Sequence, residues 1–360
     1  MMQPIRVLIT DDNQAIVSLL AMLLSEDADI SVVGTAMNGA DTLVKLSTVQ
    51  TDVLILDIEM PVMDGIETLA AIKAQYPDIR VIMFSAHTQR GAAQTMRALA
   101  RGASDYVTKP AGGGLSEARH TVRSELIPKI KALASHKKPK QTQPTPQPVS
   151  VVDKASRPAA TTGVLVIAAS TGGPQALSTI LGSIPADFRI PILVVQHMPA
   201  TFTKMLAQRL ARSCAIDVVE ASDGDFIESG ITYIAPGDYH MELSRTDEQT
   251  KLTLHQGPPV NFCRPAADRL FMSAANVFGA QVLSVVLTGM GQDGLRGCQA
   301  ISRAGGTVLA QDESSSIVWG MPGAIAQAGL ADQIVPLDEL ANEIINRVWS
   351  HSWINQGAAG

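Results

Sequence analysis

Three side chains in the second half of this sequence have the types needed for acyl transfer: Ser170, His197 and Asp293. A serine hydroxyl is a weak nucleophile at neutral pH unless a base takes its proton. An imidazole serves as that base when a carboxylate orients its ring and supports its charged form. Ser170 follows the apolar run VLVIA (164 to 168), within AASTGGP. His197 follows PILVVQ (191 to 196), within QHMP, and Asp293 follows VLSVVLT (282 to 288), within TGMGQDG. Glycine and proline directly after the first run place Ser170 in a tight strand-to-helix turn. Such a turn exposes the hydroxyl and aims backbone N–H groups and the positive end of a helix at the place where an oxyanion can develop. A second set of reactive groups lies in the first half: Asp11, Asp12, Asp57, Ser85 and Lys109, each just past a short β-rich run. Carboxylates converging in one crevice repel one another unless a cation joins them, and hard oxygen ligands with an open coordination sphere suit Mg²⁺.

These groups can meet only if the preceding strands lie side by side, because reactive side chains in an open α/β sheet collect beyond the carboxyl ends of the strands. The sequence supports this. Apolar runs at 7–9, 32–35, 53–56, 81–84 and 105–107 alternate with helical periodicity at 13–25, 39–49, 65–75, 89–101 and 115–134. Such alternation builds a parallel sheet covered by helices. The expected fold class is therefore α/β, with two doubly wound parallel-sheet domains, at 1–133 and 163–350. The segment from Ile231 to Gln256 alternates apolar and polar residues about a turn, which suggests an antiparallel β-hairpin attached to the second sheet. Residues 134–162 carry five prolines and five Lys/Arg against the single Asp153. They have no amphipathic period and read as an extended, flexible linker.

The whole-chain composition narrows the function further. A chain of 360 residues exceeds what one core usually supports, and 46% hydrophobic with 17% charged residues is ordinary for a globular protein. A formal charge of −6 offers no basic face to neutralise phosphates, so no nucleic-acid partner is expected. Neither a secretory leader nor an apolar run long enough to span a bilayer is evident, which points to a cytoplasmic protein without membrane insertion. Cys214, Cys263 and Cys298 are far apart in sequence and read as small reduced hydrophobes rather than disulfide or metal ligands. His87, His120, His255 and His351 suggest no role. Asp11 and Asp12 could instead cap the following helix, and Asp293 could cap one as well.

The first-half segments ITDD, LDIEMPVMDGIE, FSA and VTKP resemble the receiver domain of two-component response regulators, a flavodoxin-like fold, over about residues 4 to 130. The resemblance implies that Asp57 accepts a phosphoryl group. It implies that Asp12, Asp57 and the backbone carbonyl of Glu59 hold Mg²⁺, with Asp11 helping through water, and that Lys109 meets the phosphoryl oxygens. Ser85 and Tyr106 match the switch pair, and Lys109-Pro110 matches a cis peptide bond. AASTGGP, QHMPATFTKMLAQRL, IAPGDYHM, RPAADRLFMSAA, LTGMGQDG and AQDESSSIVWGMPGAI resemble the catalytic domain of the chemotaxis methylesterases over about 163 to 335. By that likeness Ser170 is nucleophile, His197 general base and acid, and Asp293 the orienting carboxylate, with Thr171 and Met290 as neighbours of the nucleophile and oxyanion. Ala168 departs from the family, which usually has glycine there, and would strain the turn if the position needed a positive φ.

The resemblance further implies a phosphorylation-activated hydrolase that demethylates glutamate methyl esters on chemoreceptors and deamidates receptor glutamines. Its phosphodonor would be a chemotaxis histidine kinase, its catalytic domain would need no cofactor, and it would work as a monomer. The expected control is occlusion of Ser170 by the unphosphorylated receiver. His240 and Arg264 are open to two readings, receptor contact or ordinary hydrogen bonding. A phospho-dependent scaffold with a decayed hydrolase is the alternative, and the intact Ser170, His197 and Asp293 argue against it.

Overall fold

The computed structural model describes residues 3–86, 88–110, 114–135, 162–246 and 249–349. Most of the expected linker, together with His87 and His351, lies outside those residues. The chain forms two compact units, Met1–Pro139 and Lys140–Gly360.

In the first unit, strands β1 (Ile5–Thr10), β2 (Ile30–Ala36), β3 (Val53–Asp57), β4 (Arg80–Ser85) and β5 (Asp105–Thr108) alternate with helices α1 (Gln14–Leu24), α2 (Gly39–Leu46), α3 (Gly65–Gln75) and α4 (Gln89–Ala100). Helices α5 (Gly114–Thr121) and α6 (Ile127–Ser135) follow, joined by a π turn over Val122–Leu126. All four strand pairings are parallel, in the order β2-β1-β3-β4-β5. Every residue of β3 is buried, which is why that strand reads as a continuous apolar run rather than an alternating one. The strand order reverses between β1 and β3, so the carboxyl ends of those two strands open the crevice in which ligands bind.

The second unit contains β6 (Val164–Ala169), α7 (Gly173–Ser183), β7 (Ile192–Gln196), α8 (Ala200–Ser213), β8 (Asp217–Glu220), β9 (Ile231–Ile234), β10 (His240–Arg245) and β11 (Thr250–His255). It continues through α9 (Ala267–Phe278), β12 (Val282–Val286), α10 (Leu295–Arg303), β13 (Thr307–Gln311), α11 (Met321–Gln327), β14 (Gln333–Val335) and α12 (Leu337–Trp349). Its main sheet runs β14-β13-β12-β6-β7-β9-β8, parallel throughout. From β6 the chain moves outward on one side through β7 and later returns to place β12 on the other. The switch point is therefore at the tip of β6, flanked by β7 and β12.

Two expectations need correction. The alternating segment from Ile231 to Gln256 is not one hairpin on the main sheet. Its first part, β9, is a parallel strand of that sheet, while β10 and β11 pair antiparallel as a separate two-stranded sheet. Pro236 and Gly237 separate the two parts, and alternation alone cannot show which sheet a strand joins. The cis bond expected at Lys109-Pro110 is also absent: among the described residues the cis peptide is Arg264-Pro265. Lys109 already continues the β4 ladder with its N–H on the Ser85 carbonyl at 2.7 Å, and its ammonium reaches the carboxylates from that position.

Candidate active site

The tip of β6 leads into Ser170, and the turn that follows needs glycine at 172. That residue sits at φ +80°, and a Cβ there would come 2.6 Å from Ile317 Cγ1. Ala168, by contrast, lies within β6 in ordinary extended backbone, paired with Val286, so the alanine costs the turn nothing. The Ser170 N–H donates to the Thr288 carbonyl at 3.1 Å, fastening the turn to the β12 side. The His197 N–H donates to the Ala169 carbonyl at 3.1 Å on the β7 side. Buried Gln196 joins the two, because its amide donates to the Ser170 carbonyl at 3.0 Å and to the His197 carbonyl at 3.4 Å. The backbones that carry hydroxyl and imidazole are thus clamped to each other.

Asp293 comes from the loop after β12 and pairs with His197, Nε2 to Oδ2 at 2.8 Å. It does so while sitting on the N-terminus of α9, whose Ala267 and Asp268 N–H groups donate to its two oxygens at 2.6 and 3.2 Å. Ala266, at that helix N-cap, has no side-chain oxygen to offer, so Asp293 supplies the cap from another element. Asp293 therefore caps α9 and pairs with His197 at the same time. Asn261 adds its amide, donating to Asp293 at 2.9 Å and to Asp268 at 3.0 Å, and Asp268 in turn accepts the Gly297 N–H of α10 at 2.8 Å. Burial pushes the Asp293 carboxyl up, but the His197 ring, the Ala267 N–H and the Asn261 amide outweigh it and hold the group below its ordinary value. Burial likewise opposes charge on His197, yet Asp293 and Cys263 lift its pKa above the ordinary imidazole value.

With Nε2 committed to Asp293, the nitrogen left for base chemistry is Nδ1. That atom faces the Cys263 thiol at 3.6 Å. A bond from the Ser170 hydroxyl to the ring is not among the hydrogen bonds of the described residues, a looseness common in catalytic sites before substrate binds. Cys263 is accordingly not the incidental hydrophobe its sequence position suggests. Asn261 and Phe262 form a two-residue turn, closed by Val260 and Cys263 through N–H···O bonds of 3.0 and 2.8 Å. Asn261 and Phe262 both have positive φ, 51° and 63°, as a type I′ turn requires. Asn is a usual occupant there, which is the one local hint the sequence offered. Removing its amide (Asn261→Ala) leaves Asp293 with one donor fewer. The expected cost is about 10- to 100-fold in ester hydrolysis, the effect of losing one charge-assisted bond of about 1.5–3 kcal/mol. Steady-state methanol release checks it.

Thr171 is buried, and its carbonyl accepts the Thr288 hydroxyl at 2.9 Å. Met290 is half-buried after Gly289, whose carbonyl accepts the N–H groups of Gly320 and Met321 at 3.1 and 2.8 Å. His240 is fully buried, its ring held by the Pro258 carbonyl and the Ala266 N–H, and Arg264 is engaged by Asp238 and the Gly257 carbonyl. Both residues are thus hydrogen-bonded within the fold.

In the first unit, Asp11, Asp12 and Asp57 offer carboxylate oxygens within 4.8 Å of one another at the β1/β3 switch point. Lys109 reaches Asp11 at 2.7 Å and Asp57 at 2.8 Å. Asn13, not either aspartate, caps α1 with its side chain, while Asp11 accepts the Asn13 N–H at 2.9 Å. Asp12, Asp57, Glu59, Ser85 and Lys109 line a cleft of about 310 Å³. Gly65 lets α3 close beneath it, since a Cβ there would lie 2.0 Å from the Asp57 carbonyl. Ser85 donates to the Gly91 carbonyl at 3.2 Å, and the buried Tyr106 ring lies under the Lys129 ammonium at 5.1 Å.

Burial lifts the Asp57 carboxyl to about 6, with Lys109 drawing it back and Asp11 adding to the rise. A raised acid contributes stability below its unfolded value, and that contribution is lost as pH climbs through about 6. Asp57→Asn is therefore expected to raise the stability of the metal-free first unit at pH 7.5 by about 1–3 kcal/mol, and to do nothing near pH 4. Urea unfolding at the two pH values checks this.

Two family models divide the chain as the sheets do. A response regulator receiver domain matches residues 7–118 and a CheB methylesterase matches residues 165–344. A protein-glutamate methylesterase/protein-glutamine glutaminase of Trichodesmium erythraeum is 50% identical over 352 residues, which is 96% of this chain and 100% of that protein. The chain belongs to the CheB methylesterase family. A second member, protein-glutamate methylesterase/protein-glutamine glutaminase 2 of Caulobacter vibrioides, is 44% identical over 347 residues, covering 96% of this chain and 99% of its own. The crystal structure of the Thermotoga maritima CheB methylesterase catalytic domain matches with a TM-score of 0.51 at 38% identity, over 52% of this chain and 99% of that domain. The parallel α/β second unit is thus the CheB catalytic fold, preceded by a receiver domain. No helix among the described residues is long and apolar enough to cross a membrane.

Proposed function

We propose that this CheB-family chain is a phosphorylation-activated protein-glutamate methylesterase and protein-glutamine glutaminase acting on chemoreceptors. The observation that carries the reading is the Asp293–His197 pair, seated at the switch point beside the turn of Ser170. Nδ1 of His197 takes the Ser170 proton as Oγ attacks the γ-carbonyl of a methylated glutamate. The proton then passes to the leaving methoxide, giving methanol and an acyl-enzyme. Water, deprotonated by the same nitrogen, splits the acyl-enzyme to the glutamate carboxylate and restores Ser170. With glutamine the leaving group is ammonia. Thr171 and Met290 flank the developing oxyanion, and Asp293 stabilises the imidazolium formed at each proton transfer.

In the receiver, Asp57 accepts the phosphoryl group from a chemotaxis histidine kinase. The donor set of Asp11, Asp12 and Asp57, with the backbone carbonyl of Glu59, suits a hard octahedral cation. Mg²⁺ held there would neutralise the carboxylates and align the phosphodonor. Lys109 meets the phosphoryl oxygens, the Ser85 hydroxyl turns from the Gly91 carbonyl toward them, and Tyr106 repacks behind it. The working bounds are a receiver at 1–133 and a catalytic domain at 163–350, in a cytoplasmic monomer.

Methanol release from methylated receptor membranes, with and without a small phosphodonor such as acetyl phosphate, tests the control. Native protein is expected to accelerate about 5- to 150-fold, the range of a coupling of 1–3 kcal/mol. Asp57→Asn is expected to show no response to the donor. An equal response in that variant would contradict the assignment of Asp57.

A further inference from the structure

The turn that brings Cys263 to His197 creates a donor pair for which methyl ester hydrolysis has no evident use. We propose that His197 Nδ1 and the Cys263 thiolate form a binding site for a soft divalent cation of the zinc class, and that occupancy shuts off the esterase. The inference rests on the reading of His197 as general base and adds a mode of regulation to that site.

The geometry is already that of a metal pair. Zinc bonds sulfur at about 2.3 Å and imidazole nitrogen at about 2.0–2.1 Å, so two such ligands at a tetrahedral angle stand about 3.5 Å apart. Here Sγ and Nδ1 are 3.6 Å apart. Neither group has to travel. Cys263 is anchored by its paired backbone bonds to Val260, and its sulfur lies 3.4 Å from the Asn261 carbonyl. The ring is anchored by Asp293 on Nε2, the carboxylate–histidine arrangement that fixes the tautomer and presents the opposite nitrogen to a metal. The Asp293 carboxylate stays on Nε2 as the anchor of the ring, and water completes the coordination sphere.

Ligand softness separates this site from the one in the receiver. Thiolate and imidazole select zinc, cadmium or cobalt over magnesium, whereas the three carboxylates around Asp57 are hard donors. One chain can therefore respond oppositely to two classes of cation. Binding releases the thiol proton to solvent and engages the Nδ1 lone pair, so the nitrogen can no longer accept a proton from Ser170.

The test uses the full chain with Mg²⁺ saturating and compares native protein, Cys263→Ser and, as a control thiol, Cys214→Ser. Each rate of methanol release is normalised to the metal-free rate of the same variant. Zn²⁺ is expected to inhibit native and Cys214→Ser protein fully and reversibly with a chelator, and to be at least about tenfold less potent on Cys263→Ser. Co²⁺ should give a thiolate-to-cobalt charge-transfer band in native protein that Cys263→Ser lacks. Zn²⁺ should also protect Cys263 of native protein from alkylation by iodoacetamide, read by mass spectrometry, a measurement that needs no variant to fold. Equal zinc potency in Cys263→Ser, or no cobalt band together with unprotected alkylation, overturns the proposal. A native protein that binds Co²⁺ through Cys263 yet releases no methanol when metal-free would instead overturn the esterase reading.

Discussion

Replacing Ser170 with alanine is expected to lower methanol release from methylated receptor membranes by a factor of about 10⁴ or more, the scale on which serine hydrolases lose rate without their nucleophile. Removing one hydroxyl leaves the turn intact. Its anchors are backbone and Gln196 bonds, from Ser170 N–H to Thr288 and from the Gln196 amide to the Ser170 carbonyl, and none uses the side chain. The thermal midpoint of the variant should therefore match that of the native chain, which separates lost chemistry from lost structure. Glutamine deamidation should fall in parallel, because both reactions pass through the same acyl-enzyme.

Asp293→Asn should rank next, with a loss of about 10³–10⁴-fold, and its reason is different. The two oxygens of Asp293 accept from four donors: His197 Nε2, the Asn261 amide, and the N–H groups of Ala267 and Asp268. An amide has one oxygen and one NH₂, so in either orientation it points a donor at donors. With the NH₂ toward His197, the ring must carry its proton on Nδ1 and cannot take one from Ser170. With the NH₂ reversed, it opposes Asn261 and Asp268. The variant should consequently be less stable as well, by about 1–3 kcal/mol, the cost of a buried donor left unmade. A variant that loses rate with unchanged stability would show that the carboxylate is not the hub the hydrogen bonds describe. One that keeps its rate would remove Asp293 from the mechanism.

Much of the fold was legible because parallel strands buried on both faces leave continuous apolar runs. VLVIA, PILVVQ and VLSVVLT became β6, β7 and β12 within a residue or two at each end. The edge strands were not. β14 is three residues long, and β8 exposes Asp217 and Val219, so neither carries a buried run. Ser170 and His197 were findable because each directly follows a readable strand, and Asp293 because it lies in the loop after one. Asn261, Cys263 and Asp268 were not, because what they touch lies 32, 66 and 29 residues away across a turn and two helix ends. The family segments reached the region only from RPAADRLF onward and missed the turn. For Asp57 and Lys109 the situation was easier, since both stand at strand ends of one small sheet.

Everything proposed for the second unit turns on Ser170 being a nucleophile made reactive by His197. A fluorophosphonate reagent, which phosphonylates activated serines, tests it directly when adducts on the full chain are located by mass spectrometry in native protein and in His197→Ala. One adduct is expected, on Ser170, formed at a rate that falls about 10²–10⁴-fold without the imidazole. Labelling of another serine, or labelling of Ser170 equally fast in both proteins, would contradict it.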